Sequence, residues 1–216
     1  MYKRQVLLVL HAISINVFFW CALALFIIKK IDSGPTVAAL LLGCWLLICV
    51  VIPVTGKLFV EQSITVPNGG EILLLQRETV NDAWDLPKED TMVPFIKQHP
   101  QWANTTKIQR PFEWKWYYAF QQVGDQRVET LSKKLRDGIR RRDKAMKALS
   151  YVSPSLLTQR ALTRVAQTDI QAFQAYEQCV RDFHLSLREF HYPMLFGDVE
   201  FSLEKMKALP QFTACS

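Results

Sequence analysis

The sequence predicts an all-α protein, with a two-helix transmembrane hairpin in residues 1–56 and a helical domain with two long antiparallel helices in residues 57–216. Residues 6–28 and 37–54 form two apolar runs that contain no charged residue. In the rest of the chain, apolar residues recur every three or four positions, which is typical of amphipathic helices. No stretch alternates apolar and polar residues strongly enough to indicate a strand.

Each apolar run is long enough to cross a hydrocarbon core of about 30 Å at a helical rise of about 1.5 Å per residue. Backbone amides find no water in lipid, so both runs are expected to be helical. The short polar break at residues 29–35 then closes a hairpin, and residues 57–216 emerge on the face where the chain begins. Pro53 is expected to kink or end the second span.

A secretory signal peptide is the main alternative interpretation of the first run. Its apolar core has about 7 to 15 residues and is followed by a cleavage site with small residues. This run is longer, ends in Ile-Ile-Lys-Lys and is followed by a second run, which argues against a signal peptide. Cys179 and Cys215 are isolated in the sequence and no disulfide framework or metal motif is visible, so the cysteines do not indicate a redox compartment.

The formal net charge of +6 is mild, and both signs are interspersed. This pattern is typical of solvated helix faces rather than of a nucleic-acid footprint, so we expect no nucleic-acid partner. The positive-inside rule places the loop with Lys29 and Lys30 in the cytoplasm, whereas Lys3, Arg4 and Lys57 on the other side argue for the opposite orientation.

Helix-breaking residues and the spacing of apolar residues predict the helices of residues 57–216. They lie at residues 72–84, 92–98, 112–149 (with Gly124 as a candidate break), 153–166, 169–192 (ended by Pro193) and 202–205. In the helix at 169–192, apolar residues recur alternately three and four positions apart. This spacing forms a narrow apolar stripe of the kind that packs against another helix, and the predicted partner is the helix at 112–149. Ser153 and Pro154 form an N-cap and first-turn pair.

Motifs for catalysis or nucleotide binding are missing from the sequence. It contains neither a phosphate-binding loop, a dinucleotide fingerprint, a nucleophile elbow nor a zinc-protease motif, so we expect no enzyme and assign no catalytic or cofactor-binding residue. His184 and His191 lie seven residues apart and are weak candidates for a metal site. A membrane-bound hydrolase or metalloenzyme would depend on them.

Two further groups of residues allow more than one interpretation. His11, Ser14 and Asn16 are polar residues in the first apolar run; such residues are functional candidates, or else they bond to a neighbouring helix or lie near the interface. The aromatic cluster at residues 112–118 either packs against the neighbouring short helices or lies at the level of the lipid headgroups.

An ordered series of motifs runs through nearly the whole chain. It comprises the apolar stretch at residues 40–53, Ile64-Thr65-Val66-Pro67, Gln98-His99-Pro100, the stretch at residues 152–162, Thr168-Asp169, Phe183-His184 and Leu209-Pro210-Gln211-Phe212. This series resembles the C-terminal half of a family of ABC-2-type transporter permeases, a half that carries a domain of unknown function.

The resemblance implies a subunit of a bacterial inner-membrane transporter that works with a separate ATP-binding subunit. The two apolar runs would correspond to the fourth and fifth spans, with residues 57–212 as an extracytoplasmic domain for gating or for cargo or partner contact. The first three spans and a final span of the family are not in this sequence, so it resembles a fragment. The expected partners are the lipid bilayer, the ATPase subunit, and the remaining permease spans or a second permease copy, without a cofactor.

The main alternative is a membrane-anchored helical module that binds a partner protein and transports nothing. It would need the same hairpin and the same long helices, but it would not need an ATP-binding subunit.

Overall fold

The computed structural model describes residues 2–105, 107–197, 199–213 and 215, and this part of the chain contains helices and no strands. The predicted all-α class is therefore confirmed. The chain forms two compact units, one built from residues 1–65 and 138–175 and the other from residues 66–137 and 176–216. This division by packing differs from the sequence-based boundary at residue 57, because residues 138–175 group with the apolar helices.

Two apolar helices open the first unit. Helix α1 spans Tyr2–Ile28, and after a short turn α2 spans Gly34–Leu46. A π-helical turn at Leu47–Val51 joins α2 to α3, which spans Ile52–Ser63. The segments Gln5–Ile28 and Gly34–Ser63 are long and apolar enough to cross a membrane, and their most apolar windows are not buried inside the structure.

Of the two outcomes expected at Pro53, a kink or an end of the helix, the structure excludes the end. The helix continues past Pro53 to Ser63, because the π turn lies immediately before the proline. A proline lacks the N–H that a helix interior needs and clashes with the carbonyl four residues earlier. In the π turn the N–H of Ile52 bonds to the carbonyl of Leu47, five residues back. This five-residue hydrogen-bond pattern places Pro53 in the first turn of α3, where proline is tolerated.

The rest of the first unit comes from residues 138–175. It contains the C-terminal part of α6 (Trp114–Ser150), all of α7 (Pro154–Val165) and the first residues of α8 (Ile170–Phe196). Helix α7 packs against α1 and against the π turn. An ion pair of 3.0 Å between Arg160 and Asp143 joins α7 to α6.

The second unit has an aromatic core. Its helices are α4 (Gly69–Asp82), α5 (Lys88–Gln98), the N-terminal part of α6, the remainder of α8, and α9 (Leu203–Lys207), with short 3-10 turns at Ala83–Asp85 and Pro100–Thr105. The buried core consists of Ala83, Met92, Phe95, Trp116, Ala119, Phe120, Tyr192 and Phe196.

The end of helix α8 differs from the prediction. Helix α8 does not stop at Pro193 but continues to Phe196. The ring of Phe196 stacks on Phe95 with 4.3 Å between centroids, and this buried contact holds the last turn despite the cost of an interior proline.

Helix α6 is unbroken at Gly124, the candidate break. A Cβ at this position would lie 2.5 Å from Val80 Cγ2 and 2.9 Å from the Gln76 carbonyl oxygen. The glycine therefore permits a close approach of α4 to α6.

A disulfide bond joins Cys179 of α8 to Cys215 near the end of the chain. The expectation that these two cysteines are isolated is therefore wrong. The sequence could not reveal the pair, because the two cysteines are 36 residues apart and their spacing matches no common motif. Cys21, Cys44 and Cys49 are free thiols.

Candidate functional site

The junction between α7 and the second apolar helix is the first site of interest. Ser153 is fully buried, with 0% of its surface exposed. Its hydroxyl donates a hydrogen bond of 3.0 Å to the carbonyl of Ile48 in the π turn, and it accepts one of 3.5 Å from the N–H of Leu156. The predicted N-cap is therefore confirmed, and the same side chain also attaches α7 to the apolar helix.

Other polar contacts reinforce this junction. The Cys49 sulfur lies 3.0 Å from the Ser155 hydroxyl, and the Thr158 hydroxyl lies 3.5 Å from the carbonyl of Ala12 in α1. These contacts give polar groups of the apolar helices partners within the protein. Within the first unit, α7 thus contacts both α1 and the π turn.

The C-terminal end of α3 is held by α6. The Arg142 side chain donates to the carbonyls of Ile64 and Glu61 at 2.9 and 3.2 Å. A cationic group is favourable at a helix C-terminus, where the last carbonyls have no partner in the helix. Within this unit, a Cβ added at Gly56 would overlap the side chain of Leu149, so α3 and α6 are in close contact.

The second unit contains a polar cleft of about 720 Å³. It is bounded by α4, α6 and α8 and by Gln98 at the end of α5. Its polar and charged lining consists of Gln76, Gln98, Gln122, Asp125, Gln126, Glu129, Ser132, Arg136, Arg181, His184 and Arg188. Amides and charges of both signs therefore face one cavity.

Two amides in this cleft have incomplete hydrogen bonding. Gln122 is only 8% exposed, and its Oε1 atom has no partner among the described residues; the same holds for Nε2 of Gln126. Asp125, in contrast, accepts from Gln76 at 2.6 Å and from Arg188 at 3.1 Å. Buried polar atoms without a partner are costly. Among the described residues, the cleft wall therefore contains one buried acceptor and one buried donor without a partner.

The aromatic cluster at residues 112–118 divides between two environments. Trp116 is 5% exposed, and its Nε1 donates to the buried Thr91 hydroxyl at 3.0 Å. Trp114, in contrast, is 69% exposed, and the ring of Phe112 lies beside it. Packing against the short helices is therefore confirmed for Trp116, while Trp114 presents its ring to the surroundings.

Ionisable groups near this core are perturbed by burial. Desolvation lowers the pKa of His99 from its ordinary value of 6.5, and the charge of Glu189 opposes this effect. Desolvation raises the pKa of Tyr118, and its hydrogen bond to Tyr192 adds to the shift. Both shifts favour the neutral form, which suits groups that serve the packing of an aromatic core rather than proton transfer.

The residues singled out in the sequence have different positions in the structure. His184 lines the polar cleft, whereas Nδ1 of His191 lies 2.7 Å from the carbonyl of Leu187. No group of three or more His, Cys, Asp or Glu side chains in the described part of the chain could hold a metal ion. In α1, His11 faces α7, and Asn16 Oδ1 is buried without a hydrogen-bond partner among the described residues.

The model of a domain of unknown function, DUF3526, matches residues 70–214. The chain belongs to this family. The DUF3526 region contains every residue that lines the polar cleft except Gly69, and it contains the whole of α7. No curated protein and no solved structure is significantly similar to the chain.

Sequence reasoning missed three parts of these sites. The disulfide and the polar cleft both depend on residues that are far apart in the chain, and no local signal identifies them. The attachment of α7 had one local signal, the Ser153-Pro154 cap, but its bond to Ile48 spans 105 residues.

Proposed function

We propose that this chain is part of an ABC transporter permease subunit in the bacterial inner membrane. Its two spans lie within the segments Gln5–Ile28 and Gly34–Ser63, and the domain that follows them lies on the extracytoplasmic side, except that α7 packs alongside the spans. The domain that follows the spans gates the translocation path or contacts cargo or a partner. ATP is hydrolysed by a separate subunit, and the spans pack in lipid against further permease spans or a second copy.

The attachment of α7 to the π turn is the observation that carries this proposal. A simple membrane anchor needs only an apolar helix and has no use for a hydrogen-bonded connection within the span. Here the Ser153 hydroxyl bonds to the Ile48 carbonyl beside a proline, at an irregular turn of a kind often found at functional sites. Such a connection suits a domain that responds to movement of the spans.

The Cys179–Cys215 disulfide supports the extracytoplasmic placement. Structural disulfides persist in the bacterial periplasm and are rare in the reducing cytoplasm. The same placement puts the loop with Lys29 and Lys30 in the cytoplasm, where the positive-inside rule favours these two lysines, although the rule disfavours the outward position of Lys3, Arg4 and Lys57.

Contacts within the second unit support the antiparallel arrangement of the two long helices. The Tyr118 hydroxyl lies 3.2 Å from that of Tyr192, and Asp125 pairs with Arg188 at 3.1 Å. As the residue number rises along α6, the number of the partner in α8 falls, which is the order expected for antiparallel helices.

The polar cleft is the surface that we assign to cargo or partner contact. Its arginines and carboxylates offer both charges, and its glutamines add amide groups. The lining therefore suits a hydrogen-bonding ligand or a polar partner surface.

Topology is the first test. Alkaline phosphatase or a fluorescent protein is fused after residue 216, and both fusions are expressed in a bacterium. Active phosphatase and a dark fluorescent fusion are expected. The reverse pattern would place the domain in the cytoplasm and overturn the proposal.

The transport assignment needs a second test. The tagged chain is purified from its native membrane, and the co-purifying proteins are identified and assayed for ATP hydrolysis. We expect a stoichiometric subunit with a phosphate-binding loop and no hydrolysis by the chain alone. A stoichiometric partner without an ATP-binding fold would instead favour the membrane-anchored interaction module.

A further inference from the structure

A second cavity lies within the first unit, between α1 and α7. This groove has a volume of about 510 Å³, and its two ends differ in chemistry. Leu8, Ile15 and Leu157 line its apolar side, and Gln5, Arg164 and Gln167 line its polar side.

The register of the two helices separates these residues into two ends. The Thr158 hydroxyl lies 3.5 Å from the Ala12 carbonyl, near the middle of the groove. At about 1.5 Å per residue, Arg164 lies about 9 Å along α7 from that point, and Gln5 lies about 10 Å along α1. Both line the groove, so they mark one polar end, at the residue where the apolar run of α1 begins.

The polar end carries a positive charge. Arg164 donates to Gln171 at 3.2 Å through Nη1, and a guanidinium has five N–H donors in all, so others are available to a phosphate. No acidic side chain occurs among the described residues that line the groove. Asp143 and Asp169 line a neighbouring cavity that Arg164 also borders, so the guanidinium faces an anionic group in this groove without a carboxylate in the groove's own lining.

The apolar part of the groove opens toward the outward face of α1. Leu8 and Ile15 are 49% and 48% exposed, and Leu157 of α7 faces them across the groove. On a membrane-spanning helix, the molecules that reach such a face are those of the bilayer, and an acyl chain fits an apolar channel that ends in a cationic group.

We propose that this groove binds one anionic phospholipid of the surrounding bilayer, with an acyl chain beside Leu8, Ile15 and Leu157 and its phosphate at Arg164. The inference rests on the proposed membrane placement of α1. Because the lipid would lie between α1 and α7, it would stabilise the docked position of α7, and the anionic lipid content of the membrane would regulate that position.

The test uses the full chain purified in a mild detergent. Phosphatidylglycerol and phosphatidylcholine with identical acyl chains are added in equal amounts, and native mass spectrometry counts the lipids that each chain retains. The wild type is expected to retain phosphatidylglycerol about fivefold more than phosphatidylcholine, the ratio that corresponds to about 1 kcal/mol for one basic residue at a lipid surface.

Two variants separate the contributions of charge and shape. Arg164→Gln should abolish the preference but leave some retention of both lipids. Ala161→Phe places a ring in the groove and should lower the retention of both. Arg141→Gln is the matched control, since Arg141 is an exposed arginine of α6 in the same unit and lies outside the groove. It should behave as the wild type.

Equal retention of the two lipids by the wild type would overturn the proposal. The same holds if Arg164→Gln keeps the preference, if Arg141→Gln loses it to the same degree, or if Ala161→Phe disrupts a protein dimer while lipid retention stays constant. Circular dichroism confirms that each variant is folded. Lipid retention requires neither an ATPase nor transport, and the topology fusions report membrane placement separately, so failure here is distinguishable from failure of the proposed function.

Discussion

Ser153 connects a local sequence signal to a distant contact. Its role as a helix cap follows from the Ser-Pro pair, since both residues favour the first turn of a helix. Its bond to the Ile48 carbonyl does not follow from any local pattern, because the partner belongs to another helix. One buried hydroxyl thus serves as donor and acceptor at once, and both partner groups depend on it.

We expect Ser153→Ala to destabilise the first unit by about 1 to 3 kcal/mol, because it leaves the Ile48 carbonyl and the Leu156 N–H unpaired at a buried site. Thermal unfolding of the purified chain in detergent measures the effect. Ser14→Ala, at an exposed position of α1, serves as the control and should change little. Equal unfolding temperatures for Ser153→Ala and the wild type would show that the junction is unimportant for stability.

At the level of single helices, the chain keeps prolines and a glycine inside helices where the neighbouring structure accommodates them. Pro53 follows a π turn, and Pro193 precedes a turn that is fixed by the stacking of Phe196 on Phe95. Gly124 lies within a continuous helix because α4 approaches α6 there without space for a side chain. Propensity alone predicted a kink or an interruption at these positions. Packing keeps the helix continuous at Gly124 and Pro193, whereas the π turn accommodates Pro53.

Glycine-to-alanine changes distinguish packing from propensity. Gly124→Ala should destabilise the second unit by about 1 to 3 kcal/mol, because the new methyl group would collide with Val80 and with the Gln76 carbonyl. Gly43→Ala in α2 is the matched control, since nothing lies within 4 Å of its Cβ position. That change should be neutral or stabilising by up to about 1 kcal/mol. Unfolding curves of both variants test this contrast, and a stabilised Gly124→Ala would contradict the close approach of α4.

At the scale of the whole molecule, the disulfide and the apolar helices bear on the proposed location. Two helices near the N-terminus are long and apolar enough to cross a membrane. The Cys179–Cys215 disulfide is a bond that persists in oxidising compartments, as the proposed extracytoplasmic placement requires.

Thiol labelling tests the disulfide directly. In chain extracted without reductant, we expect maleimide to modify Cys21, Cys44 and Cys49 after denaturation, and to reach Cys179 and Cys215 only after reduction. Replacement of both bonded cysteines by alanine should cost about 3 to 4 kcal/mol of unfolding free energy, from the chain entropy of a loop with a separation of 36 residues. Cys21→Ala is the control. Labelling of all five cysteines without reductant would contradict the bond and weaken the extracytoplasmic placement.

The sequence by itself determined the features that depend on neighbouring residues. The all-α class, the two apolar helices and the N-cap at Ser153 follow from hydrophobic periodicity, from the length of the apolar runs and from the chemistry of a helix start. These signals are local because a helix satisfies its hydrogen bonds within one segment.

The tertiary structure alone decided which distant residues meet. It placed α7 against α1 and the π turn, paired Cys179 with Cys215, and assembled the polar cleft from four helices. It also decided that α8 continues through Pro193, because Phe196 stacks on the buried Phe95. The physical reason is that burial and close packing supply free energies comparable to, or larger than, the local costs of a proline or a glycine, and those free energies depend on partners that no local pattern reveals.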